Sequence, residues 1–240
     1  MIEKRSLLEK IRRKGLIGSA RLLWARCIYR HDELIWMERA LDLQAPRFPR
    51  HNPWRKEPIT DALLPAFDRY FSLYKPGLPA LIHSDSHGEA FLDAEGEVIG
   101  MAWFRSSDYY DDQTYHCWLR LPPGRIYQFA GEVAPPYRGT GMPVLLQRER
   151  WKAFLEEGFS HTRAVVNMNN KPALQMHVKL GFEEVGESIH LYRLFGGLNF
   201  HSFRYYDGKR LQHLRRSRHN NQTKQTKQTK QTTSAEHLSE

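Results

Sequence analysis

Long apolar runs and cysteines are both scarce in this sequence of 240 residues. No stretch approaches the roughly 18 apolar residues that a membrane-spanning helix needs. Met1 to Arg5 lead into a charged stretch and not into the apolar core of a signal peptide. The two cysteines, Cys27 and Cys117, are far apart and form no CxxC pair, so they indicate neither a disulfide framework nor a zinc site. We therefore expect a cytoplasmic protein.

The positive charge of the chain is concentrated at its C-terminal end. The net charge is +9, and residues 198–240 contribute +6 of it through nine Lys or Arg and three Asp or Glu. A strongly basic domain would favour a polyanionic partner. Because the remaining residues carry only +3, we expect no nucleic acid partner. From Asn220 the chain is of low complexity, with Gln-Thr-Lys three times in succession, which predicts a disordered tail.

Residues 1–31 are predicted to form a basic helical extension. Trp24, Cys27 and Ile28 fall at helical spacing, and arginines occupy the other sides. An ordinary solvated face on a packed helix is the favoured interpretation. Peripheral contact with an anionic membrane surface is the alternative.

Strand and helix patterns alternate between the two ends. A short strand is predicted at 34–37, a helix at 61–74 and a hairpin at 89–104. The second half predicts, in turn, strand, helix, strand, helix and strand at 125–133, 144–157, 162–168, 172–180 and 187–195. This order indicates an α/β domain at 32–206 with a mixed central sheet flanked by helices, followed by a basic tail at 207–240.

A Gly-rich turn joins the predicted strand at 125–133 to the next helix. Its sequence is Val-Ala-Pro-Pro-Tyr-Arg-Gly-Thr-Gly-Met, from Val133 to Met142. Glycines let the backbone approach a ligand closely, and the amides at a helix start suit a pyrophosphate. The spacings of dinucleotide folds and of P-loops are absent.

A second segment, Asn170 to Phe182, follows one helix and one strand later with the sequence NKPALQMHVKLGF. Together the two segments resemble the GNAT superfamily of N-acetyltransferases, whose signatures are V-x-P-x-Y-R-G-x-G and N-x-x-A-x-x-x-Y-x-K-x-G-F. The resemblance covers about fifty residues, from Val133 to Phe182. It implies a fold in which acetyl-CoA lies between two parallel strands that splay apart. It also implies direct attack of a primary amine, on a small molecule or a peptide, with no metal.

The resemblance implies cofactor contacts along the strand and the turn. The pantetheine arm would pair with the strand backbone, the pyrophosphate with the turn amides, and Asn170 would lie near the pantetheine. The implied cofactor-binding residues are Gln128, Gly131, Val133, Arg138, Gly139, Thr140, Gly141, Met142, Asn170 and Lys179. Pro143 departs from the family, which usually has Gly or Ala there, but proline suits the first turn of a helix.

Direct transfer needs a base for the amine proton and an acid for the departing thiolate. Glu132 is the only carboxylate on the strand that would flank the thioester. It is the candidate base, or else a solvated residue paired with Arg138. His177 stands where the family commonly has its tyrosine acid, and imidazole donates protons near neutral pH. The alternative is a structural His177, with water protonating the thiolate.

Three further interpretations stay open. His83, Asp85 and His87 alternate as metal ligands on a strand would, although a polar loop edge is favoured. Asp108, Asp111 and Asp112 would attract a cationic amine or form a solvated acidic loop. The donor could instead be a longer acyl-CoA, or the domain a non-catalytic binding module with basic ends.

The low-complexity tail is expected to be dispensable. Removing Asn220 to Glu240 should leave the melting temperature and turnover unchanged, because a polar tract without apolar anchors has nothing with which to build a site. Thermal unfolding and a turnover assay on the truncated and full chains test this. A large loss of either quantity would mean that the tail folds onto the domain.

Overall fold

The protein is described by a computed structural model that covers residue 24 and residues 27–41, 54–112 and 114–214, with the backbone alone for 143–149. Most of the predicted basic extension and the whole low-complexity tail from Asn220 lie outside these residues. Among the described residues, no helix combines the length and the apolar character that crossing a membrane requires.

Ten strands form one large sheet and one small hairpin. They are β1 (Tyr29–Ala40), β2 (Arg55–Pro58), β3 (His87–Leu92), β4 (Val98–Arg105), β5 (Tyr109–Asp111), β6 (Cys117–Leu119), β7 (Arg125–Val133), β8 (His161–Asn167), β9 (Glu183–Leu194) and β10 (Leu198–Tyr205). The eight-stranded sheet has the order β10-β9-β1-β8-β7-β4-β3-β2, and β5 pairs with β6. Strands β7 and β8 are parallel, whereas the other neighbours in this sheet are antiparallel. The predicted α/β class with a mixed central sheet is confirmed.

Short helices precede β3, and longer ones flank β8. They are α1 (Asp68–Phe71), α2 (Leu78–Ile82), α3 (Met142–Glu156) and α4 (Lys171–Lys179), with 3-10 turns at Asp61–Phe67, Lys75–Gly77 and Pro135–Tyr137. The single helix predicted at 61–74 is therefore mostly a 3-10 turn, because Pro65 inside it has no N–H for an α-helical bond. The chain also stays helical past Pro76 and Pro79, since each lies in the first turn of its own segment.

Strand β1 is longer than the predicted strand at 34–37. Its side chains alternate between two hydrophobic clusters: Leu34 and Trp36 enter the smaller one, and Ile35 and Met37 the larger one. Both faces of the strand are thus buried, which explains its continuous apolar run. Charged residues flank this run on both sides, so the hydrophobic pattern alone predicts a strand that is too short. One of them, Glu38, lies 3.3 Å from the buried guanidinium of Arg163 on β8.

The segment that contains Asp108, Asp111 and Asp112 includes a strand, β5. Here β5 pairs with β6 to form a hairpin between β4 and β7. Cys117 and Leu119 of the hairpin are fully buried and join the smaller cluster, whose buried members are Leu34, Trp36, Cys117, Leu119, Tyr127 and Ile189. The hairpin therefore rests on the sheet beside β7.

The packed chain extends beyond both predicted domain boundaries. Strand β1 begins at Tyr29, and Leu211 is buried in the larger cluster. The backbone N–H of Leu211 also donates to Glu184 at 2.6 Å. Boundaries at 31/32 and 206/207 therefore cut through contacts of one domain.

Candidate active site

The parallel strands β7 and β8 pair over only part of their length. Their register runs from Arg125 opposite His161 to Gln128 opposite Ala164. Beyond this point β7 continues to Val133 and β8 to Asn167, and no pairing between them is found among the described residues. The two strands part after Gln128. This leaves backbone amides and carbonyls of β7 available to a ligand that enters the gap.

A bulge distorts β7 where it leaves β8. Met101 on β4 faces Glu132, whereas Trp103 faces Phe129, so Ala130 and Gly131 lie opposite one residue of β4. Ala130 has a φ of 46°, a left-handed conformation that costs an L-residue about 1 kcal/mol or more. A bulge of this kind re-aims the side chains that follow it. Backbone strain of this kind is common at functional sites, and Glu132 lies two residues after it.

The Gly-rich turn comes directly after β7. Gly139 and Gly141 both have left-handed φ values, of 84° and 83°, and a Cβ on either would meet nothing within 4 Å. Inside the turn the Thr140 hydroxyl donates to the Tyr137 carbonyl at 2.7 Å, and Arg138 Nε donates to the Val133 carbonyl at 3.1 Å. Gly141 immediately precedes α3, so the open space lies at the start of a 15-residue helix. Such a helix start suits a phosphate.

Of four other predicted cofactor residues, only one borders this opening. Gln128 lies at its closed end, where its buried side-chain carbonyl accepts from the Thr162 hydroxyl at 3.2 Å. Met142 is fully buried in the core and serves to anchor α3. Asn170 caps α4 by accepting from the Ala173 N–H at 3.2 Å. Lys179 is exposed at the far end of α4, about 13 Å along the helix axis from Asn170.

His177 is buried in the last turn of α4. Its Nδ1 lies 2.8 Å from the Ala173 carbonyl, and its ring packs edge-on against Phe182 with the centroids 5.0 Å apart. Because a carbonyl only accepts, Nδ1 carries the proton, and a neutral His177 has none on Nε2. Burial lowers the pKa of His177 below its ordinary value of 6.5, although the bond to Ala173 opposes this effect.

A cavity of about 460 Å³ lies beside the bulge. Its lining includes six aromatic side chains and two carboxylates: Tyr74, Trp103, Tyr109, Tyr115, Tyr127, Phe129, Asp111 and Glu132. Of the predicted catalytic and cofactor-binding residues, Glu132 alone is in the lining. His177 is not part of the lining found among the described residues.

Tyr74 was not anticipated from the sequence. Its hydroxyl is hydrogen-bonded to the Glu132 carboxylate, and burial together with the charge of Glu132 raises the pKa of Tyr74 to about 12. Tyr74 therefore stays protonated at neutral pH and donates to Glu132. No local pattern points to this pair, because a 3-10 turn, helix α2 and four strands lie between Tyr74 and Glu132 in the chain.

The three aspartates of the hairpin segment have different environments. Asp111 is buried and lines the cavity. Asp108 accepts from the Leu121 N–H and pairs with Arg120 at 2.7 Å, and both contacts lower its pKa. Asp112 is exposed. The interpretation as a uniformly solvated acidic loop therefore fails for Asp111.

The possible metal ligands do not share a strand face. Residues 83–86 form a turn before β3, and His87 alone is in the strand. Instead, His83 lies 3.4 Å from Asp61, and Asp85 lies 3.2 Å from Arg105. Across the described parts of the chain, no group of three or more His, Cys, Asp or Glu has the arrangement of a metal site.

Comparison with known proteins agrees with this arrangement. The model of the acetyltransferase (GNAT) family matches residues 38–182, which include the parting strands, the Gly-rich turn and α4. The chain belongs to the GNAT acetyltransferase family. No curated protein sequence matches it significantly.

Solved structures with a similar fold share little sequence with this GNAT protein. One is a conserved protein of unknown function from Staphylococcus epidermidis, with a TM-score of 0.50, 12% identity, and coverage of 81% of this chain and 69% of that one. Another is a tandem GNAT protein from the clavulanic acid biosynthesis pathway, with a TM-score of 0.51, 12% identity, and coverage of 77% and 60%. This chain therefore spans less than two thirds of the tandem protein, and at such identity the likeness concerns the fold alone.

The turn is expected to hold the phosphates of the donor. Gly141→Asp should abolish the rise in melting temperature that acetyl-CoA causes, because it places a negative charge at the phosphate position. Gly141→Asn tests the backbone alone, since Asn tolerates left-handed φ and is neutral. Gly96→Asp is the matched control: Gly96 has a φ of 84° and equally open surroundings, but lies in the β3–β4 turn. Unchanged binding by Gly141→Asp would mean that the phosphates lie elsewhere.

Proposed function

We propose that this protein transfers the acetyl group of acetyl-CoA directly to a primary amine. Membership of the GNAT family supports acyl transfer from an acyl-CoA. One observation carries the proposal further: Glu132 follows the strained bulge and faces the 460 Å³ cavity, beside the gap between β7 and β8. A carboxylate is thus available where an amine in the cavity would meet a thioester in the gap.

Glu132 is the proposed base. Its carboxylate accepts a proton from the ammonium form of the acceptor, and the free lone pair attacks the thioester carbonyl carbon. The hydrogen bond from the Tyr74 hydroxyl holds the Glu132 carboxylate in place. Backbone groups that the bulge leaves unpaired would stabilise the oxyanion of the tetrahedral intermediate. Collapse of this intermediate breaks the C–S bond, and the nitrogen loses its second proton to water, which gives an amide and the CoA thiolate.

His177 is the proposed acid for the thiolate, and its surroundings restrict how it acts. The Nδ1 proton is held by the Ala173 carbonyl. Only the imidazolium form therefore has a proton to give from Nε2. Because burial lowers the pKa of His177 below its ordinary value, this form is populated only below that lowered pKa and is lost as the pH rises through it. The acid role thus predicts a characteristic pH dependence.

Removing the base should slow the reaction without weakening cofactor binding. Glu132→Gln keeps the size of the side chain but cannot accept the ammonium proton at neutral pH. We expect kcat to fall about 10²–10³-fold, with the Kd for acetyl-CoA unchanged. Tyr74→Phe, which removes only the hydrogen bond to Glu132, should cause a smaller loss. The rate of thiol release gives kcat, and calorimetry gives the Kd for acetyl-CoA. Unaltered turnover in Glu132→Gln would contradict the assignment.

Replacing His177 should have an effect that depends on pH. His177→Phe keeps a ring beside Phe182 but has no transferable proton, so kcat should fall about 10²-fold below the pKa of His177. The difference from the parent should shrink as the pH rises above that pKa, because the parent loses its imidazolium. Circular dichroism checks that the variant folds. Equal kcat for the two proteins at every pH would leave water as the proton source.

A further inference from the structure

The two edge strands of the large sheet differ in how they are protected. Among the described strands, β2 and β10 lie at its ends. Strand β2 has only four residues, Arg-Lys-Glu-Pro, and a short, charged edge with a proline discourages pairing with another strand. Strand β10 has eight residues, Leu-Asn-Phe-His-Ser-Phe-Arg-Tyr, with neither Lys nor Pro. The protection found at one edge of the sheet is therefore missing at the other.

Strand β10 also exposes large apolar side chains on both of its faces. Leu198 and Phe200 lie on one face and are 55% and 53% exposed. Phe203 and Tyr205 lie on the other face and are 51% and 84% exposed. A long edge strand with exposed apolar residues is a place where a further strand adds. Because the core of the chain does not bury these side chains, they favour a partner that pairs with this edge.

The backbone of β10 offers hydrogen-bonding groups to such a strand. In the register with β9, Tyr205 lies opposite Glu187, and the next residue, Tyr206, donates its N–H to the Gly186 carbonyl at 2.8 Å. Along an antiparallel strand, the peptide groups of successive residues point to its two sides in alternation. The even-numbered residues of β10 therefore bond to β9. The odd-numbered residues direct their N–H and C=O groups outward, where no described strand pairs with them.

A second copy of β10 fits this edge. In an antiparallel pair about a two-fold axis perpendicular to the sheet, opposing residues share a face, so the axis passes through a residue and not between two. An axis at Ser202 places Phe200 of one copy opposite Arg204 of the other. The same axis places His201 opposite Phe203. These are a cation on a ring and a pair of rings, both of which are attractive across strands.

The neighbouring registers and partners are less favourable. An axis at His201 would place the two imidazoles opposite each other and Phe200 opposite Ser202. Pairing of β10 with β2 of another copy would repeat without end, and the short, charged β2 opposes it. A two-fold pair of β10 strands instead covers both unprotected edges. It leaves β2 outermost at each end of one continuous sheet.

We propose that two copies of this protein pair through β10, antiparallel about a two-fold axis at Ser202. The sheet then runs across both subunits, and Phe200 of each subunit packs against Arg204 of the other. This inference does not depend on the proposed acetyl transfer.

Sedimentation equilibrium of the full chain tests the association. We expect twice the 28.3 kDa mass of one chain, with a dimer Kd below about 100 µM. A chain that stays monomeric throughout this range leaves the edge to another segment of the chain or to a different protein, and overturns the proposal. Open-ended assembly overturns it as well, because a two-fold pair is closed.

Two substitutions at Phe200 test the register. Both remove the same ring, but Phe200→Lys repels Arg204 of the partner subunit, whereas Phe200→Glu pairs with it. Because the axis repeats the contact, the dimer Kd of Phe200→Lys should exceed that of Phe200→Glu at least about tenfold. The same two changes at Trp118, a 45% exposed aromatic residue of β6, control for net charge and should keep the parental Kd. Equal Kd values for the two Phe200 variants, or the same difference at Trp118, contradict the proposal.

A pair of prolines tests whether the backbones pair. His201→Pro removes an N–H that points outward, and Ser202→Pro removes one that points to β9. We expect His201→Pro to raise the dimer Kd at least about tenfold relative to His201→Ala, which keeps the N–H. Below the Kd, His201→Pro should keep the parental melting temperature, whereas Ser202→Pro should lower it. A dimer that survives His201→Pro unchanged is not held by strand pairing, and contradicts the proposal.

Discussion

The hydrogen bonds between β7 and β8 end at Gln128 and Ala164, and the rest of the site depends on where they end. A parallel pair that continued to Val133 would use its backbone groups internally and leave no gap. The Gly-rich turn directly follows the part of β7 that has separated from β8. Glu132 comes after the bulge at Ala130 and lines the cavity. One local change in pairing thus underlies both the proposed donor site in the gap and the proposed acceptor side in the cavity.

The two candidate proton-transfer groups are held very differently. Glu132 is partly exposed and receives a hydrogen bond from the hydroxyl of Tyr74. His177 is buried, packed on Phe182, and bonded through Nδ1 to its own helix. Burial favours its neutral form. The enzyme chemistry proposed here therefore relies more on positioning and on the base than on a ready acid.

The sequence was sufficient for the features that depend on local pattern. The bounds of β7 were predicted without error, and the Gly-rich turn and α4 followed from their spacing and from the family resemblance. Contacts between segments that are distant in the sequence could not be predicted from local pattern. Nothing in the order of Asp108, Asp111 and Asp112 indicates that only the middle one is buried, and nothing near Tyr74 indicates Glu132. The bulge could not be predicted from the sequence either. The left-handed conformation that favours glycine is adopted by Ala130 and not by the adjacent Gly131.

The hairpin of β5 and β6 has its own small cluster, in which Cys117 and Leu119 pack against Leu34 and Trp36. It joins β4 to β7 but contributes no residue to the Gly-rich turn. Substitutions at its cavity-facing positions can therefore accumulate while the Gly-rich turn, the proposed donor-binding segment, is conserved. An ancestral domain of this type could acquire new acceptors by exchanging one excursion of about 19 residues between Arg105 and Arg125, with the transfer chemistry inherited intact.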